Sequence, residues 1–243
     1  MAGPGPFALR RGTHRPALPR WVLAVIALCC LIEAVLTLCD LAGLRFTVYV
    51  AQREGFLPYF TSQRLGIPVR QVVNGLFGFW SEQVHAWRGL YPGQPALMFL
   101  TYGFLHGGLL HLGMNMLSLA ALARELGQII GAMRMAAVYL VSQVAAALMF
   151  ALMAPTAGPM VGASGAIFGL AGALIGFAAV TGWRRRRPLG QLWRGVAMMV
   201  VLNVALTVLM PSIAWEAHLG GTLAGLVMGA WMALGRSPRP STL

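Results

Sequence analysis

Long apolar runs separated by short polar breaks dominate the chain. They cover residues 21–44, 109–122, 133–153, 162–182, 192–210 and 215–234. Most approach or reach the ~20 residues that a helix needs to cross the hydrocarbon core of a bilayer. In hydrocarbon each backbone N–H and C=O must be satisfied within its own segment, so each run predicts a helix. The run at 109–122 is short, and apolar residues on both sides predict its extension. Between the first two runs lies a long segment, residues 45–108. In it Val73, Leu76, Phe77, Trp80, Val84 and Trp87 recur at helical spacing, with Arg70, Gln83 and Arg88 off the stripe. That pattern predicts a helix, either packed on the bundle or lying in the headgroup plane. Tyr91-Pro92-Gly93-Gln94-Pro95 breaks the chain before residues 96–106.

Composition agrees. Of 243 residues, 58% are apolar and only 10% charged, against about 25% charged in a soluble domain. An ordinary soluble enzyme, a disordered chain and a disulfide-stapled secreted domain are excluded. The expected architecture is all-α and polytopic. It has a basic leader at 1–20, a six-helix membrane domain at 21–234 with a long membrane-associated first loop (45–108), and a tail at 235–243. Cys29, Cys30 and Cys39 all fall in the first run and read as buried thiols. No cysteine or histidine spacing suits zinc, so no metal or cofactor is expected.

Net charge is +12, carried by 18 basic residues that are all arginine. They cluster between apolar runs rather than along one face, which argues against nucleic acid as a partner. Placing the N-terminus in the cytoplasm puts 13 of the 18 on the inner side, and none in the two short outer turns. The remaining five lie in the long first loop, where the charge rule is weak. Both termini are therefore expected inside. The leader carries Arg10, Arg11, Arg15 and Arg20 and resembles the start of a signal peptide. The apolar run after it is too long for one and lacks a convincing cleavage site, so it reads as a retained anchor. Arg184–Arg187 reads as a topology anchor with added attraction to acidic lipid.

Polar groups inside spans are costly and mark candidate sites. His111 and Asn115 lie four apart on one helix face near the outer end of the second span. Ser164 opens the fourth span and His218 the sixth, so three spans carry polar groups at one depth. Gly165 and Gly169 in the fourth span, and Gly221, Gly225 and Gly229 in the sixth, form small-residue faces that let helices approach closely. If those faces meet, Ser164 and His218 come within hydrogen-bond reach as nucleophile and general base. The Ser164 amide, Asn115 and His111 could donate to a developing oxyanion. Each residue also has a bland reading: serine for packing, histidine as an interfacial or core hydrogen-bonder, Asn115 as interhelical glue. Glu33 and Asp40 sit in the first span, where Glu33 is expected to snorkel or to pair internally. Glu216 is expected at a helix N-terminus.

Gly162-Ala163-Ser164-Gly165, His218-Leu219-Gly220-Gly221 with Gly225, and His106-Gly107-Gly108-Leu109-Leu110-His111 with Asn115 together resemble the rhomboid family of intramembrane serine proteases. The likeness covers roughly residues 101–229. It implies a six-helix core in which Ser164 is the nucleophile, His218 its base and no third member is needed. It also implies that His111 and Asn115 line the oxyanion site, that Phe168 packs on the base and that His106 is structural. Gly162 and Gly221 belong to the supporting motifs. Substrates would be membrane proteins cut in or near a transmembrane segment that is locally unstable and has a small residue before the scissile bond. The compact layout implies a bacterial inner-membrane type, with the site toward the outer side. One departure stands out: many members carry Trp-Arg shortly before the Thr101 position, where this chain has Leu97-Met98, and its own Trp87-Arg88 lies earlier. Two rivals remain. A non-proteolytic relative that binds membrane clients usually loses the serine or the histidine, and both are present. A transporter predicts midplane polar residues and an internal repeat, and the chain has neither.

Overall fold

A computed structural model describes residues 17–53, 60–186, 190–209 and 214–235. The leader arginines Arg10, Arg11 and Arg15, the loop at 211–213, Arg187 and the tail beyond Gly235 lie outside the described residues. The chain runs α1 (Arg20–Leu41), β1 (Arg45–Arg53), β2 (Phe60–Pro68), α2 (Val69–Phe77), α3 (Ser81–Ala86), α4 (Gln94–Thr101), a 3-10 turn (Tyr102–Phe104), α5 (Leu109–Ile130), α6 (Ala132–Met153), α7 (Ser164–Arg184), α8 (Gly190–Leu209) and α9 (Trp215–Leu234). Among the described residues, four helices (α1, α6, α7 and α9) are each long and apolar enough to cross a membrane. A fifth candidate span is bent by 84°, where the segment Gln94–Phe104 meets α5. α8, with 20 residues, occupies the stretch where a further span is expected.

The expected extension of the second span is realised on one side only. α5 continues without a break to Ile130. On the other side Gly108, at φ +123°, turns the chain, and α4 becomes a separate helix. The first loop departs further from expectation. Its apolar stripe is divided between α2 and α3. Phe79 leaves the helical path to pair with Met160, and Trp87 ends α3 in the left-handed region. Ahead of α2 an unforeseen antiparallel hairpin pairs Phe46 with Ile67 and Val48 with Leu65. Period-2 alternation at Phe46, Val48, Leu65 and Ile67 encodes it.

α7 packs most extensively on α9, and α6 covers both. The apolar core joins Val22 and Cys29 of α1, Leu119 and Leu126 of α5, Met135 and Val138 of α6, and Leu170 and Ala173 of α7. A second cluster, built on Phe79, Met98, Tyr102, Phe150 and Met160, fastens the first loop to α6. Leu31, Leu38, Leu117, Leu152, Val227 and Trp231 point outward, as a helix surrounded by lipid requires. The thiol expectation needs correcting. Cys29 is buried, but Cys30 is exposed on the outer face of α1 and Cys39 is intermediate. One α1 stripe faces the bundle, and consecutive residues cannot both lie on it.

Candidate active site

Glycines set how closely α7 and α9 approach. A Cβ on Gly221 would overlap the Gly165 carbonyl oxygen, one on Gly225 that of Gly169, and one on Gly229 that of Ala173. From the other side, a Cβ on Gly172 or Gly176 would overlap the carbonyls of Thr222 or Leu226. Backbone therefore lies on backbone along both faces, the arrangement that small-residue spacing favours in lipid. The contact brings together two side chains far apart in sequence: His218 Nε2 lies 2.8 Å from Ser164 Oγ.

Local chain geometry aims both groups. Ser164 is the first residue of α7, after Gly162 at φ +125°. A Cβ on Gly162 would come 2.8 Å from His111 Cε1 and 3.0 Å from Nε2, so both backbone angle and space demand glycine there. The Gly162 N–H donates to the Tyr102 carbonyl at 3.0 Å. At a helix start the first N–H groups have no preceding turn to bond, so the Ser164 amide is a ready donor. His218, in the first turn of α9, is 2% exposed. Phe168, one turn after Ser164, stacks on its imidazole at 4.2 Å between centroids and 9° between planes.

The second span completes one side of the cluster. His111 lies beside Gly162, and its Nδ1 accepts the Gly107 N–H at 3.3 Å. Asn115, 5% exposed, donates one amide hydrogen to the His111 carbonyl at 2.9 Å and keeps the other. His106 is fully buried and meets His111 edge-on at 5.3 Å. The sequence-derived residues are thus gathered at the N-terminal ends of α5, α7 and α9. Glu216 sits in the first turn of α9, as expected. Glu33 pairs rather than snorkels: it is 1% exposed, and Arg70 Nη1 lies 3.0 Å from its Oε2. No cluster of metal-binding side chains occurs among the described residues.

Several supports escaped sequence reasoning. Phe79 and Met160 exchange backbone hydrogen bonds of 2.9 Å each, and the Ser81 N–H donates to the Ala157 carbonyl at 3.2 Å, so the first loop grips the segment before Ser164. Tyr102 Oη donates to the Gln143 carbonyl at 2.7 Å. No side-chain pattern signals these contacts, because each is accepted by a backbone carbonyl. The surface cleft bordered by Trp87, Arg88, Tyr91 and Pro95 lies in the first loop, and none of the gathered side chains borders it.

Comparison with known proteins points the same way. The chain is 30% identical over 183 residues to RHOMBOID-like protein 5 of Arabidopsis thaliana, covering 74% of this chain and 55% of that protein. It is 32% identical over 161 residues to RHOMBOID-like protein 2 of the same plant, covering 64% of this chain and 50% of that one. The chain thus spans about half the length of these relatives. The family model described as Rhomboid domain matches residues 86–235, from the end of α3 through α9. A match over most of the chain, carrying the glycine-spaced α7–α9 pair and the helix ends around Ser164, places this polytopic membrane protein in the rhomboid family.

Proposed function

We propose that this rhomboid is an intramembrane serine endopeptidase acting on membrane proteins at or near a transmembrane segment. The observation that carries the reading is the 2.8 Å contact between Ser164 Oγ and His218 Nε2, with the imidazole held flat by Phe168. Ser164 Oγ attacks the scissile carbonyl while His218 Nε2 takes its proton. The oxyanion is met by the Ser164 N–H, the free amide hydrogen of Asn115 and the His111 Nε2–H. His218 then returns the proton to the leaving amine, and water hydrolyses the acyl-enzyme by the reverse route. The dyad needs neither metal nor cofactor. A peptide bond inside a regular helix is shielded and hydrogen-bonded, so the substrate must unwind locally before attack.

The arginine asymmetry supports termini in the cytoplasm and a site opening toward the outer side of a cell membrane, where water can reach the dyad. The retained serine and histidine favour the protease over a client-binding relative. Labelling with a fluorophosphonate probe in detergent and in liposomes tests the reading. Wild type should label while Ser164→Ala and His218→Ala do not. A folded wild type that stays unlabelled in both media overturns it.

A further inference from the structure

The peptide group joining His106 to Gly107 is held at both ends. Its carbonyl accepts from Arg70 Nη1 at 3.1 Å, and its N–H donates to His111 Nδ1 at 3.3 Å. The guanidinium is itself fixed from α1. Nη1 reaches Glu33 Oε2 at 3.0 Å, Nε reaches Asp40 Oδ2 at 2.6 Å, and Nη2 reaches Thr37 Oγ1 at 3.4 Å. Thr37 Oγ1 in turn donates to Glu33 Oε1 at 3.3 Å. Glu33, Thr37 and Asp40 recur at i, i+4 and i+7, one stripe of an otherwise apolar helix. A planar five-donor fork can serve four acceptors at fixed angles, which an ammonium cannot. Burial alone would lower the Arg70 pKa, but the hydrogen bonds and charges of Glu33 and Asp40 outweigh it and raise it, so the cation persists.

This arrangement bears on His111. A neutral imidazole carries one proton, and a nitrogen that accepts a hydrogen bond cannot hold it. With Nδ1 accepting from Gly107, the proton sits on Nε2. That nitrogen is the one facing the Ser164 side, because a Cβ on Gly162 would lie 3.0 Å from it and 3.8 Å from Ser164 Oγ. Hydrogen bonding at a peptide carbonyl also polarises the group and strengthens its N–H as a donor.

We propose that Arg70, held by Glu33 and Asp40, is a positioning residue: through the His106–Gly107 peptide group it keeps His111 in the Nε2–H form, aimed at the oxyanion. The inference rests on the endopeptidase reading. It gives the first loop a part in the reaction that the residues around Ser164 do not reveal, and it gives the costly acid of α1 a purpose beyond fastening that helix.

The test combines histidine 15N NMR of the labelled protein in micelles with fluorophosphonate labelling rates. Wild type is compared with Arg70→Lys, which keeps a cation beside Glu33, and with the charge-neutral pair Arg70→Gln/Glu33→Gln. In wild type His111 should be protonated at Nε2 alone. In a folded variant Nδ1–H signal should emerge and labelling should slow by about tenfold to a hundredfold, short of the ~10²–10³ loss for deleting an oxyanion donor. Turnover should fall while KM holds. If the double variant does not fold, Arg70→Lys carries the test. Wild-type His111 protonated at Nδ1, or variants with unchanged tautomer and unchanged labelling, would overturn the proposal. An unlabelled wild type defeats the endopeptidase reading instead, and the NMR result still decides what holds His111.

Discussion

The imidazole of His218 lies parallel to the ring of Phe168, 4.2 Å away, while its Nε2 touches Ser164 one turn earlier on the same helix. One α7 face therefore supplies both the partner of the base and the plate against which it rests. Stacked ring pairs contribute about 0.5–1.5 kcal/mol beyond their burial. Phe168→Ala should slow fluorophosphonate labelling by roughly two- to tenfold as His218 loses its orientation, with Phe168→Tyr close to wild type. Equal rates in all three proteins would show that the stack does not orient the base.

The α7–α9 approach predicts a graded glycine series. Gly225→Ala forces a Cβ into the Gly169 carbonyl, so the helices must separate. Overpacking of this kind costs about 1–3 kcal/mol. The thermal midpoint in detergent should fall and labelling should drop with it. Gly113→Ala, in the second turn of α5 with nothing within 4 Å of its Cβ, is the control. It should be neutral or stabilising by up to about 1 kcal/mol.

At Gly162 the effect should be on chemistry rather than on global stability. Alanine there meets a backbone at φ +125° and the His111 ring at 2.8 Å. Gly162→Ala should lose most labelling while circular dichroism stays helical. Full activity in this variant would mean that His111 can move away at no cost.

Tyr102 braces the strand of chain that carries Gly162, accepting from its N–H and donating through Oη to Gln143. Tyr102→Phe removes this hydrogen bond while the Gln143 carbonyl keeps its helical donor within α6, at a net cost of about 0.5–1.5 kcal/mol. The expected result is a lower unfolding midpoint with the labelled fraction per folded molecule preserved.

Arg184 links the far ends of α7 and α9. Its Nη1 donates to the Ala233 and Leu234 carbonyls at 3.1 and 3.2 Å, in the last turn of α9, where backbone acceptors have no helical donor. This adds a helix-capping role to a residue read from sequence as part of a topology anchor. Arg184→Gln should accelerate hydrogen exchange over the last turn of α9 and leave labelling unchanged.

Much of this protein is legible in one dimension. Burial in lipid demands long apolar runs, so α1, α6, α7 and α9 stand out as spans with boundaries close to those observed. Small residues four apart mark close approach, and the motifs around His106, His111, Ser164 and His218 carry the family resemblance. What the linear pattern could not convey is who meets whom across the long first loop. Arg70 sat off an apolar stripe with no visible purpose until α2 laid it against Glu33, Asp40 and the His106 carbonyl. The single helix expected from that stripe became two, because backbone pairing of Phe79 with Met160 outweighed local helical preference. Cys30 faces outward, although its immediate neighbours in the run are apolar, because only one stripe of α1 reaches the bundle. Periodicity records whether a position is buried. Which neighbour buries it, and at what distance, depends on contacts between residues tens of positions apart, and those exist only once the chain has folded.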